Sequence, residues 1–152
     1  MSLKDTIKAD LTASMKARDE TTTSTLRMVL AAITNAEVAG DEAITLNDNQ
    51  TIGVLQAEAK KRSEAAQIYA DAGRNEAAAK ERTELSIIER YLPAAMSDDE
   101  LDAIIAEEVA KAKAAGAEGG KAMGLVVKAV RERAGSGADG ARIASAVKAA
   151  LN

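Results

Sequence analysis

"RYLPAAMSDDELDAIIAEEVA", residues 90–110, divides the chain in two. Pro93 is the single proline; it offers no N–H and bars the α conformation from the residue before it, so a helix arriving from the N-terminal side stops here. Four residues on, Ser97 and Glu100 spell a capping box: the serine oxygen accepts from the first turn's N–H groups and the glutamate reaches back to the serine N–H. Leu101, Ile104, Ile105 and Val109 then recur at helical spacing. A stop followed by a fresh start predicts a boundary, with one helical bundle over 1–95 and a second over 96–152.

Toward the N-terminus, Ser2 with Asp5 caps a first helix whose i, i+4 stripe is Leu3, Ile7, Leu11 and Met15. Asp19 caps a second helix carrying Leu26, Val29, Leu30 and Ile33, with Gly40 expected as its left-handed terminator. Asn47 to Gly73 reads as a third, with Ile52, Leu55, Ala59, Ala66 and Tyr69 inward. Asn75 to Leu92 reads as a fourth, with Leu85, Ile88 and Leu92 inward. Toward the C-terminus, Gly116 ends the fifth helix, residues 121–134 make a sixth interrupted by Gly124, and Asp139 or a neighbour caps a seventh with Ile143, Val147 and Leu151 on one face. The expected fold is all-α: two tandem helical bundles, four-helix then three-helix.

Composition agrees. Aromatic residues make up 1% of the 152 residues, Tyr69 and Tyr91 alone, while alanine, glutamate and lysine, good helix formers and poor strand formers, abound. The chain has no cysteine and no histidine. That removes thiol nucleophiles, disulfides, the commonest general base and the commonest metal ligand. No apolar run approaches the roughly 20 residues that span a bilayer, and no leader pattern opens the sequence, so no membrane and a cytoplasmic location are expected.

No constellation nominates a catalytic residue. There is no Gly-x-Ser-x-Gly elbow and no Ser-x-x-Lys, and a buried Glu-x-x-His di-metal motif cannot form without histidine. The pairs Glu81/Glu84 and Glu107/Glu108 read as surface charge. The glycines before the last helix lack the lysine and hydroxyl order of a P-loop and follow no strand, so they form either a turn or an anion cradle. No cofactor and no metal site are expected.

Charge is uneven. The net charge is −4 overall, yet residues 1–115 hold 14 Lys and Arg against 21 Asp and Glu, whereas residues 116–152 hold 6 against 3. On a helical wheel Lys121 and Lys128 lie opposite Met123, Val126, Val127 and Val130, with Arg131 at the margin. Lys121, Lys128, Arg131, Arg142 and Lys148 are therefore the candidate phosphate-binding residues, and an ordinary solvated face has the same pattern.

Four blocks in order carry a family resemblance: "TLRMVLAAITNAEV" (25–38), "AKKRSEAAQIYADAGRNEAAAKERTELSIIERYLP" (59–93), "KAMGLVV" (121–127) and "ADGARIASAVKAAL" (138–151). Together they make the chain resemble the GatB/YqeY family over nearly its whole length. The resemblance implies two tandem helical bundles. It also implies kinship with the tail of the tRNA-dependent amidotransferase B subunit, which contacts the tRNA body while the transferase chemistry sits elsewhere in that subunit.

Residues matching strong family positions are Arg27, Arg62, Gly73, Arg74, Tyr91, Leu92 and Pro93 in the first bundle, and Met123, Gly124, Ala138, Asp139 and Gly140 in the second. Most have a structural reading: Gly73 ends a helix, Pro93 stops one, Asp139 caps one, and Gly124 is expected to permit close helix contact. Arg74 follows a glycine cap and is open to pairing with helix carbonyls, with Glu81, or to holding the bundles together. The chain departs from the pattern at Gly137, where relatives often carry an arginine, and Arg131, Arg133 and Arg142 are its possible substitutes.

The resemblance thus implies a non-catalytic tRNA-binding module linked to glutamine-dependent amidation. The alternative is an adaptor that docks on an amidotransferase, an aminoacyl-tRNA synthetase or another protein. Stacking of bases is not expected, because both tyrosines fall on inward faces.

Overall fold

The computed structural model describes residues 1–152, all but the side chain of Ser136. Seven α-helices and no strand are present among the described residues: α1 (Leu3–Lys16), α2 (Glu20–Glu37), α3 (Asp48–Asp71), α4 (Asn75–Glu89), α5 (Asp98–Ala114), α6 (Gly119–Ala134) and α7 (Gly140–Leu151), with a short 3₁₀ turn at Gly135–Gly137. The chain divides into two compact units, Met1–Leu92 and Pro93–Asn152.

In the first unit α1 packs on α2 and α3 on α4, and α2 touches both α3 and α4. Ile7, Leu26, Val29, Ile33, Leu55 and Ile88 are its fully buried aliphatic centre. Side chains this uniform carry little shape information, so the termini do much of the specifying. Ser2 Oγ accepts from the Asp5 N–H at 3.1 Å, Asp19 caps α2 through the Thr22 N–H at 3.1 Å, and Asn47 with Gln50 closes a reciprocal box on α3.

Several local expectations shift. Met15 is half exposed, and Ser14 is buried in its place, its hydroxyl 2.8 Å from that of Thr23. An i, i+4 stripe drifts 40° per step, so twelve residues carry Met15 about a third of a turn off the face on which Leu3 began. Gly40 is not left-handed; α2 ends at Val38 in ordinary backbone. The left-handed terminators are Gly73, Gly116 and Arg18. In each case the residue after the terminator donates to the carbonyl five back: Arg74 to Tyr69 at 2.8 Å, Ala117 to Ala112 at 3.0 Å, Asp19 to Ser14 at 3.0 Å. α4 stops at Glu89, earlier than expected, and the Tyr91 and Leu92 N–H groups turn back to Ile88 and Glu89. Pro93 disfavours the α conformation at Leu92, and the chain leaves α4 through these i→i−3 bonds.

In the second unit α5 packs on α6, and α7 lies against both. Leu101, Ile105, Val126, Val130, Ile143 and Val147 are buried at its centre. Ser97 and Glu100 form the full capping box, and Asp139 Oδ1 accepts from the Arg142 N–H at 2.7 Å. α6 begins at Gly119 and runs through Gly124 without a break. Gly124 does not serve close helix contact either: a Cβ built there meets no atom within 4 Å. Gly137 is tight against backbone-near atoms, since a Cβ there would lie 3.2 Å from that of Met96, whose N–H donates to the Gly137 carbonyl at 2.7 Å.

Candidate nucleic-acid interface

The second unit holds eight Lys and Arg side chains in and after α5, and its ion pairs sort them. Arg133 Nη1 lies 2.7 Å from Glu107 Oε2 and 3.0 Å from Glu108 Oε1; Lys111 Nζ adds a contact to Glu108 at 3.2 Å. The hydrogen bonds that Arg133 donates to Glu107 and then Glu108 hold its pKa above the ordinary value, and the Arg133 bond holds Glu108 below its own. Glu108 is buried, so the Glu107/Glu108 pair is not mere surface charge: it ties α5 to α6. Arg142 Nη2 meets Asp98 Oδ1 at 2.7 Å, linking α7 to the start of α5.

That leaves Lys113, Lys121, Lys128, Arg131 and Lys148 with no hydrogen bond or ion pair among the described residues, all five exposed. Lys121, Gly124, Lys128 and Arg131 are spaced by three, four and three residues, so one stripe along α6 carries three unpaired cations around a bare glycine. Arg131 extends over the first turn of α7: a methyl group at Gly140 would fall 2.8 Å from its Nη2. Of the three arginines expected to replace the missing loop arginine, Arg133 and Arg142 are engaged and Arg131 is available.

A groove of about 600 Å³ opens beside this stripe between α6 and α7, lined by Met123, Gly124, Val127, Lys128, Arg131, Glu132 and Ala144. Met123 also borders a second concavity of about 600 Å³ beneath the start of α6, where Gly119, Gly120 and Lys148 converge. Lys128 and Arg131 are thus brought together, Lys148 faces the second concavity, Lys121 stands between solvent and neither, and Arg142 is held apart by Asp98. The groove, Glu132 and Ala144 were not foreseen; the three-four-three spacing around Gly124 was the available signal.

The first-unit family positions are mostly structural. Arg62 is buried between Glu58 and Glu84, which also places Glu84 inside rather than on the surface. Arg74 does not pair with Glu81; its guanidinium lies 5.0 Å from the Tyr69 ring centre. Tyr91 donates to Asp10 Oδ2 at 2.6 Å. Arg27 is exposed, touching Met15 Sδ at 3.9 Å. No group of His, Cys, Asp and Glu suited to a metal ion occurs among the described residues, and no helix there is long and apolar enough to cross a membrane.

Comparison with known proteins agrees with this assembly of motifs. Over 88 residues the chain is 33% identical to "Altered inheritance of mitochondria protein 41, mitochondrial" of the yeast Meyerozyma guilliermondii, a match covering 58% of this chain and 45% of that protein. The chain therefore spans less than half the length of this curated relative. The family model described as Yqey-like protein matches residues 4–151, and with nearly every residue inside that match the chain belongs to the Yqey-like protein family.

Proposed function

We propose that the protein is a non-catalytic tRNA-binding module, akin to the tail of the tRNA amidotransferase B subunit, with domains 1–95 and 96–152 acting as a four-helix support and a three-helix RNA-facing bundle. The observation that carries this reading is the α6 stripe: Lys121, Lys128 and Arg131, all unpaired, surround a glycine whose missing side chain no neighbour in the protein needs. A mid-helix glycine costs about 1 kcal/mol relative to alanine. A bare backbone between cations suits the close approach of a sugar-phosphate chain, which reads shape and charge without base-specific contacts.

Lys148 extends the surface, and Arg142 joins it by exchanging the highly exposed Asp98 for a phosphate. Unpaired cations release condensed counterions on binding, so affinity for folded RNA falls steeply with salt. The reading places the protein with charged tRNA in the cytoplasm; the yeast relative's own name is mitochondrial.

The test is binding to labelled total tRNA from roughly 50 to 200 mM salt, with the Lys128→Ala/Arg131→Ala protein alongside. Micromolar or tighter binding that weakens with salt and with the substitutions supports the reading. Absence of binding at the lowest salt removes it. The mostly apolar α6–α7 groove favours a second reading, an adaptor docking on an amidotransferase, a synthetase or another protein, whose affinity would survive salt and depend on Met123 and Val127.

A further inference from the structure

The loop between α2 and α3 is preformed by one residue. The Ile44 N–H donates to the Glu37 carbonyl at 2.9 Å, the Leu46 N–H donates to the Glu37 carboxylate at 3.3 Å, and Lys4 Nζ closes on that carboxylate at 2.6 Å. Lys4 and then the Leu46 N–H hold the Glu37 pKa below its ordinary value, so the anchor stays charged. Held this way, the loop turns Val38 and Ile44 outward, 58% and 52% exposed. Between them stand Asp41 and Glu42, exposed and without a hydrogen bond or ion pair among the described residues. Single exposed aliphatics are ordinary on a protein surface. Two of them bracketing a free acidic pair on a pinned loop form a rigid, acidic, apolar-flanked knob, and rigidity lowers the entropy lost on docking.

The α6–α7 groove is its complement within the same sequence. Met123, Val127 and Ala144 give an apolar lining, Gly124 leaves room where a side chain would stand, and Lys128 and Arg131 are unpaired on the lip. Glu132 offsets one of those charges, and Lys121, three residues before Gly124 on the same stripe, restores the excess. The charge asymmetry of the whole chain has the same sense, acidic through residue 115 and basic after it.

We propose that this groove receives the 38–45 loop of a second copy of the chain, Val38 and Ile44 entering against Met123 and Val127 while Asp41 and Glu42 face Lys128 and Arg131. A loop tip covers far less than the roughly 1,200 Å² of a stable interface, so the association is weak and salt-sensitive. Two copies exchanging loops reciprocally close the contact with twofold symmetry; a one-way exchange gives open chains. The proposal is independent of RNA affinity, because it is tested with no nucleic acid present.

The experiment is sedimentation velocity of the full chain from about 10 μM to about 1 mM, the range in which an interface of this size populates complexes. Two charge-reversed proteins accompany it: Asp41→Lys/Glu42→Lys and Lys128→Glu/Arg131→Glu, all four sites exposed. The wild-type protein should associate with rising concentration, each reversed protein alone should sediment as a monomer, and their equimolar mixture should recover the association. Ala144→Leu, which fills the groove and keeps every charge, should abolish it. A wild-type chain monomeric at 1 mM, reversed proteins that associate like wild type, or a mixture that stays monomeric each overturns the proposal.

Discussion

Arg62 on α3 and Glu84 on α4 lie 3.4 Å apart, Nε to Oε2, with about nine-tenths of each side chain withdrawn from solvent. The Arg62 Nε makes no well-directed hydrogen bond, so this contact is coulombic. The rest of the guanidinium is better placed: Nη1 donates to the Glu58 carbonyl at 3.0 Å and to its carboxylate at 2.8 Å, and Nη2 rests 3.8 Å from Met28 Sδ. One side chain thus binds α2, α3 and α4.

Removing one member of such a cluster strands the others. Arg62→Ala leaves Glu84 buried without a cation and should cost about 3–5 kcal/mol, whereas Arg62→Met/Glu84→Met, which removes both charges, should recover most of that loss. The midpoint of urea unfolding reads the difference. An Arg62→Ala loss under about 1 kcal/mol would mean that water reaches the site and compensates the carboxylates.

The pH dependence of stability has two limbs. Burial pushes the Glu58 pKa up, but hydrogen bonds from Lys61 and Arg62 outweigh it and leave the carboxyl below its ordinary 4.5. Glu37 is lowered by Lys4, and Asp5 and Asp19 by the Ser2 and Thr22 groups they cap. Unfolded carboxylates take up protons at ordinary values and folded ones only at lower pH, so stability is complete above about pH 5 and falls as pH drops further. Tyr91 supplies the opposite limb: burial first, then Asp10, raise its phenol above the ordinary 10.0. Its contribution is intact below pH 10.0 and fades as pH rises beyond, where the unfolded chain loses the proton first. Melting temperatures across pH should show both limbs, with Glu37→Gln flattening the acidic one and Tyr91→Phe the alkaline one.

Helix starts were legible because caps are local chemistry. Ser2, Asp19, Ser97 and Asp139 each need only the residues two or three ahead of them, and all four cap in the structure. Burial was less legible. Thr51 is buried with its hydroxyl spent on the Asn47 carbonyl of its own helix, and Arg62 and Glu84 are buried because they meet across α3 and α4, partners that polarity alone does not reveal. For the candidate surface, sequence marked which side chains are cationic but not which are spent. Arg133 and Arg142 look the same as Arg131 along the chain, and only the approach of Glu107, Glu108 and Asp98 from α5 separates them.

Gly124 tests whether α6 holds a working surface. Its backbone is helical and its side-chain position is empty, so Gly124→Ala should stabilise the protein by about 0.5–1 kcal/mol through helix propensity and a less flexible unfolded chain. The same substitution should weaken tRNA binding, because the methyl group holds a phosphate chain away from the helix between Lys121 and Lys128. A thermal melt and the salt-series binding assay on one protein separate the two effects. A variant that is both more stable and fully competent in binding would show that nothing approaches the glycine.

Arg18 is the converse case. It sits at φ +57 where α1 ends, and the N–H groups of Arg18 and Asp19 close back on Met15 and Ser14 at 3.2 and 3.0 Å. The same pair of bonds ends α3 at Gly73 and α5 at Gly116, both glycines at positive φ. An L side chain in this conformation carries roughly 1 kcal/mol of steric strain that glycine lacks, while glycine gives some of it back through the entropy of the unfolded chain. Arg18→Gly should therefore stabilise the protein by about 0.5 kcal/mol, and Gly73→Ala and Gly116→Ala should each destabilise it by about 1 kcal/mol. Urea midpoints of the three proteins check the signs. A stabilising result at Gly73 or Gly116 would contradict the left-handed termination, and a destabilising Arg18→Gly would show that the arginine side chain contributes more than its backbone costs.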